Sequence, residues 1–229
     1  MKKIRLISIV LLVALGLMLP VNMAFAAGTQ AVQLGESAKE LSADWWQWVY
    51  SIPPGVNPVL DATGEYCVVG QRGDVWFLAG TFGGTVERTC IVPEGTTLFF
   101  PVANCALFDS PNDCGQGSDS MTVEYMRAVC TDFTDAVTKL NVTLDGRPVK
   151  NIQRVKSDVF ELSVPADNIY GFFGIPCAAG TYSPAVGEGF YAHLNPLSPG
   201  SHTLHIQAES AGFVVDVMYH LKVVPVKLK

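Results

Sequence analysis

Six cysteines, Cys67, Cys90, Cys105, Cys114, Cys130 and Cys177, constrain this chain more than any other feature. Their chemistry decides whether the fold is stapled, metal-bound or neither. The N-terminus indicates which. Met1-Lys2-Lys3-Ile4-Arg5 is a short basic lead, Leu6 to Leu19 is almost wholly apolar, and Ala24-Phe25-Ala26 offers the small-x-small site of a secretory signal peptide. The apolar run is shorter than the roughly 20 residues that span a bilayer, and Pro20 closes it. Cleavage before Ala27 is therefore expected rather than a membrane anchor, and no Cys follows the cut to carry a lipid. All six cysteines then reach the periplasm or the exterior, where disulfides form and persist.

Residues 1–26 are read as the signal peptide, 27–60 as an N-terminal helical arm, and 61–229 as a β-sandwich domain with a helix inserted near 120–139. Removing the signal takes away Lys2, Lys3 and Arg5 but no acid, so the formal charge falls from −6 to −9. Counterion release needs clustered Lys and Arg, so nucleic acid and anionic membrane are excluded as expected partners.

Ala38, Leu41, Trp45, Trp48, Val49 and Ile52 recur at helical spacing and predict a helix over Glu36 to Ile52, stopped by Pro53-Pro54-Gly55. Beyond Asp61 the texture changes to short β-branched and aromatic runs separated by Gly, Pro, Asn and Asp. Strands are predicted over 75–80, 86–92, 97–102, 140–144, 159–164, 189–194, 202–207 and 213–224. Val123, Met126, Cys130, Phe133, Val137 and Leu140 form one helical stripe behind the N-cap candidates Asp119 and Ser120. Many short strands with a single inserted helix predict a mainly β fold, an antiparallel sandwich or jelly-roll.

Sequence alone leaves the cysteine pairing open. Cys67 and Cys90 flank the strand beginning at Val75, and Gly83-Gly84 can turn the chain back beside it. Cys130 lies on the apolar stripe of the inserted helix and Cys105 just past a strand, so their bond would staple helix to sheet. Elimination leaves Cys114 with Cys177. No Cys-x-x-Cys pair is present to seed a metal site, and no metal or cofactor is expected.

Trp45, Trp46, Trp48 and Tyr50 form the most unusual local cluster. Trp46 and Tyr50, four apart beside the buried stripe, could present rings to a glycan or an envelope component. The preferred alternative is that the aromatics staple the helix to the sandwich, since large rings more often build cores. Arg72-Gly73-Asp74 matches a tripeptide read by adhesion receptors, but a tight turn into a buried strand accounts for it better.

A hairpin around Glu209 to Gly212 would set His205 opposite Asp216, with Leu204, Ile206, Val215 and Val217 facing the core. Asp61, Glu65, Asp74 and Glu87 surround the first strands, and two acids suffice for a glycosidase. The stretch from Asp109 to Asp119 offers oxygen ligands without EF-hand spacing. Asn141-Val142-Thr143 fits a glycosylation acceptor but falls in a predicted strand. No nucleophile elbow, zinc-protease or dinucleotide signature is present.

Trp45-Trp46-Gln47-Trp48, Ile52-Pro53, Asn57-Pro58, Gly70-Gln71, Val75-Trp76-Phe77-Leu78-Ala79-Gly80 and Pro196-Leu197-Ser198-Pro199-Gly200 with His202-Thr203-Leu204 follow one another along most of the chain. In that order they resemble a group of uncharacterised secreted bacterial proteins. The resemblance implies export and a shared fold, and carries no functional residue. The expected function is a non-catalytic binding or envelope-associated protein. The alternative is an extracellular hydrolase whose acid pair, or a site using His193, His205 or Asp216, is assembled from distant strands.

Overall fold

The computed structural model describes residues 37–210 and 212–225; the expected signal peptide, residues 27–36, Ala211 and residues 226–229 lie outside them. In chain order the elements are α1 (Ala38–Ser51), a short 3-10 turn (Pro54–Val56), β1 (Val75–Phe77), β2 (Gly84–Pro93), β3 (Thr97–Phe108), α2 (Val123–Asp135), β4 (Val137–Leu144), β5 (Arg147–Pro148), β6 (Ile152–Lys156), β7 (Phe160–Val164), α3 (Ile169–Phe172), β8 (Gly180–Leu194), β9 (Gly200–Ser210) and β10 (Phe213–Val224). The fold is mainly β and sandwich-like, as expected.

One sheet runs β1-β3-β8-β6, with β7 also paired to β8; the other runs β2-β10-β9-β4-β5. Pairing is mostly antiparallel, but β1 lies parallel to β3 and β2 parallel to β10. The cause is a change of sheet. β2 does not fold back on β1 but crosses to the second sheet, so the chain returns in β3 running the same way as β1.

Strand β3 holds the layers together because both its faces are covered. Leu98 and Phe100 enter the core between the sheets, while Phe99 enters a second core beneath α1. That alternation follows from the two-residue period of a strand. The sequence Thr97-Leu98-Phe99-Phe100-Pro101-Val102 is apolar on both faces for the same reason. At Val102 the strand bulges, between Pro101 and Ala103, and then continues. Opposite it Gly189 is obligatory, since a Cβ there would lie 2.5 Å from the Ala103 carbonyl oxygen.

Helix α1 is a third layer rather than an arm. Ser37 and Glu40 form a capping box at its start. At its end the buried Asn57 amide donates to the Val49 and Ile52 carbonyls at 2.8 and 2.9 Å. Trp45, Trp46, Trp48 and Tyr50 are all buried. Each such ring removes roughly 150–250 Å² from water, worth on the order of 4–6 kcal/mol at 25 cal/mol/Å² before entropic costs. Trp46 and Tyr50 are therefore core residues, and the expectation that they present rings to a ligand is corrected. Tyr50 stacks on Tyr170 with centroids 5.8 Å apart, and its burial pushes the phenol's pKa up.

The three disulfides join Cys67 to Cys90, Cys105 to Cys130 and Cys114 to Cys177. The partners are those reasoned from sequence, although Cys67–Cys90 ties a loop to β2 and not one hairpin strand to its neighbour. Helix α2 begins behind Thr122, whose hydroxyl accepts from the Tyr125 amide, and not behind Asp119 or Ser120. It also ends at Asp135, so Val137 and Leu140 belong to β4, where β-branched neighbours favour the pleat. The wholly buried Glu188 of β8 accepts from Thr131 of α2 at 2.7 Å and pairs with Arg154 and Lys156 of β6.

Among the described residues Arg88 is the deepest cation, 1% exposed. Its guanidinium donates to the carbonyls of Val59, Asp61, Ala79 and Gly80 and to the Tyr219 hydroxyl. Replacing it strands these acceptors in the interior. Arg88→Met is expected to cost about 3–5 kcal/mol, measured as a lowered urea midpoint, and Arg88→Lys to recover less than half of it because an ammonium cannot span the set.

His202 sets a pH dependence. Its Nδ1 lies 2.8 Å from Asp145 and its Nε2 2.9 Å from the Ser198 carbonyl. Both neighbours are acceptors, so both bonds form only in the imidazolium, and these bonds raise the His202 pKa above its usual 6.5. The stabilisation is complete below the unfolded pKa and fades as pH rises through the raised folded value. The stability advantage of wild type over His202→Gln, read from urea midpoints, is expected to be larger at pH 5.5 than at pH 8.5.

Candidate functional site

A cleft of about 920 Å³ opens between α1, β7 and the turn that precedes β1, within the range of small-ligand sites. Two local periodicities supply its polar walls. On α1 the stripe opposite the buried rings carries Asp44, Gln47 and Ser51, three and four residues apart. On β7 Phe160, Leu162 and Val164 point into the core, so Glu161 and Ser163 point out into the cleft. The Gln47 side chain donates to the Glu161 carbonyl at 3.0 Å and joins these two walls.

The third wall is a rigid turn. Gln71 donates to the carbonyls of Cys67 and Phe77, each at 2.8 Å, and accepts from the Phe77 amide at 2.9 Å. Arg72 bridges to Val75, Gly73 takes φ +66°, and the Asp74 carbonyl accepts from Thr97. Arg72-Gly73-Asp74 is thus the tight turn expected from sequence, with all three residues exposed. Gly70, at φ +71°, lies against the Trp48 indole, where a Cβ would come within 2.9 Å. Trp48 and Phe77, with ring centroids 5.6 Å apart, underlie the cleft, and the Trp48 indole donates to the Val69 carbonyl.

The electrostatics are lopsided. Asp44, Asp74 and Glu161 face the cleft, and Arg72 is the one basic residue lining it. None of these three carboxylates hydrogen-bonds or pairs with another side chain among the described residues. Partial burial, reinforced by the charge of Glu40 one turn earlier, raises the Asp44 pKa.

Other residues singled out from sequence lie elsewhere. Asp61 is buried in its loop, accepting from Thr63 and Tyr66, and Glu87 pairs with His220. Of the four acids around the first strands, Asp74 alone lines this cleft. His205 faces Met218, not Asp216, because the hairpin is centred one residue later than expected, with Ser210 opposite Phe213, yet its Nε2 still reaches Asp216 diagonally at 2.6 Å. The predicted core face of Leu204, Ile206, Val215 and Val217 is buried. His193 lies on the other sheet, beside Asn151.

In the Asp109–Asp119 stretch Asp109 and Asp113 are held by protein donors, while Asp119 is exposed. Asp109 accepts from Gln116 and Met121, and Asp113 from Tyr182 and Ala178. Asp113 also clusters with Cys114 and Cys177, but those sulfurs are bonded to each other and offer no thiolate. Asn141 lies in β4 and bonds Gln207 across to β9. Among the exposed rings, Phe82, Phe172 and Phe173 form a surface cluster with neighbouring centroids 5.3 and 5.2 Å apart, and Tyr125 of α2 is exposed on its own.

Comparison with protein-family models, with curated proteins and with solved structures gives no match.

Gln71 is the bracket of the third wall. Gln71→Ala removes three hydrogen bonds and is expected to cost about 2–3 kcal/mol, with faster hydrogen exchange at the Phe77 amide as the local readout.

Proposed function

We propose that this is an exported, non-catalytic binding protein that takes a hydroxyl-rich ligand, a segment of an envelope or extracellular glycan, in the cleft beside α1. The observation that carries the reading is the makeup of that cleft. An amide (Gln47), two hydroxyls (Ser51, Ser163), a guanidinium (Arg72) and carboxylates converge over an aromatic floor. Few convergent polar groups on rigid elements are what orients a polar ligand. Three disulfides, and the lack among the described residues of a helix long and apolar enough to cross a membrane, are compatible with work outside the cytoplasm.

One observation favours a second reading, a hydrolase. The raised pKa of Asp44 suits a general acid, and Asp74 or Glu161 could serve as its partner carboxylate. His205 and Asp216 line no part of this cleft and contribute nothing to it.

Glycan-array screening followed by calorimetry on the best hits is the test. Micromolar binding without release of reducing ends is expected, weakened at least tenfold by Gln47→Ala combined with Ser163→Ala. Release of reducing ends that disappears in Asp44→Asn would replace the binding reading with the hydrolase. Absence of both binding and turnover would reject the two together.

A further inference from the structure

The charge of the cleft narrows the ligand further, resting on the reading of the cleft as a glycan site. Three carboxylates and one guanidinium line it, leaving an excess of negative charge that no described side chain neutralises. Glu40 does not relieve it. Its carboxylate accepts from the Ser37 amide in the capping box and adds a further negative charge one turn from Asp44. The carboxylates also come from separate elements: Asp44 from α1, Asp74 from the turn before β1, Glu161 from β7. A ligand in the cleft is therefore surrounded by acceptors on several sides.

Ionised carboxylates only accept hydrogen bonds. Neutral hydroxyls can satisfy them but leave the charges uncompensated once water is displaced. An ammonium group brings three donors and the missing positive charge.

We propose that the cleft selects amino-sugar glycans with free, protonated amines over their N-acetylated counterparts. Acetylation removes the charge and replaces the ammonium donors with an amide that has one N–H and a carbonyl acceptor. The carbonyl would then face Asp74 or Glu161, acceptor to acceptor. Arg72 offsets one of the three carboxylates, so the selection rests on the remaining two.

The test is calorimetric titration of the disulfide-bonded protein at pH 6 with a glucosamine tetramer and with the matching N-acetylglucosamine tetramer, at low and at high salt. The free-amine tetramer is expected to bind at least tenfold tighter at low salt, and that margin to shrink with added salt. In Asp74→Asn/Glu161→Gln the margin should fall to threefold or less with the fold intact by circular dichroism, since both side chains are exposed. Equal binding of the two tetramers, preference for the acetylated one, or no binding of either overturns the selection for amines. Binding that survives Ser163→Trp, which fills the cleft, overturns the reading of the cleft as the site.

Discussion

Arg88 is the interaction on which the layered arrangement depends. A guanidinium buried this deeply is costly to desolvate and persists only where acceptors surround it. Here they are main-chain carbonyls from segments outside the regular ladders: Val59 and Asp61 in the loop after α1, and Ala79 and Gly80 between β1 and β2. The Tyr219 hydroxyl of β10 completes the set and itself donates to Ala79 at 2.7 Å. One side chain thus satisfies irregular backbone of which Ala79 alone has a second side-chain donor, Tyr219. The neighbouring Leu78 carbonyl accepts from the Trp45 indole at 3.0 Å. Arg88 therefore positions the segment on which helix α1 docks, and α1 in turn forms one wall of the cleft.

The same logic of close approach governs the other side of the helix. Gly187 of β8 lies under the Trp46 indole, where a Cβ would sit 3.1 Å from two ring atoms. The ring can occupy the core because the strand beneath it has no side chain at that position. Glycine in a strand normally weakens it, so its presence here marks a packing requirement. The run Gly187-Glu188-Gly189 alternates accordingly. Its glycines admit Trp46 and the bulged β3, while Glu188 between them is held by Thr131 and Arg154. Those hydrogen bonds, with the charges of Lys156 and Arg154, outweigh desolvation and keep the Glu188 carboxyl below the usual range.

These features explain what the sequence discloses and what it hides. Helix α1 was legible because Leu41, Trp45, Trp48 and Val49 repeat at 3.6, and the core face of β9 and β10 because Leu204, Ile206, Val215 and Val217 alternate. The first half of β8 was not: Gly180 to Gly189 contains three glycines and a proline, which read as turn chemistry until the bulge and the Trp46 contact are known. Strand β6 was hidden as well, since among its five residues Val155 alone is buried. Sheet membership was illegible because it rests on β2 crossing to the second sheet, and strand propensity carries no record of which partner a strand takes. Of the cleft residues, Asp74 drew notice as a carboxylate and Trp48 as part of the aromatic cluster. Gln47, Ser51, Glu161 and Ser163 drew none as a site, because α1 and β7 are separated by more than a hundred residues. Their signal was indirect: they are the polar positions left over opposite a buried helical stripe and an alternating strand.

One disulfide anchors a wall of the cleft. Cys67 is bonded to Cys90 of β2, and its carbonyl accepts from Gln71, whose amide also brackets Phe77. The turn carrying Arg72 and Asp74 is therefore held at its base by a covalent bond and at its neck by one side chain. Under the proposed binding function such anchoring matters, because a ligand meeting a mobile turn must also meet the entropy of ordering it. Oxidation of Cys67 and Cys90 supplies part of that order in advance. The charged groups of the turn are exposed, yet the backbone beneath them is fixed by groups that face inward. A rigid base with unpaired charges at its rim is the arrangement by which a β scaffold presents polar side chains to a ligand without rebuilding its core.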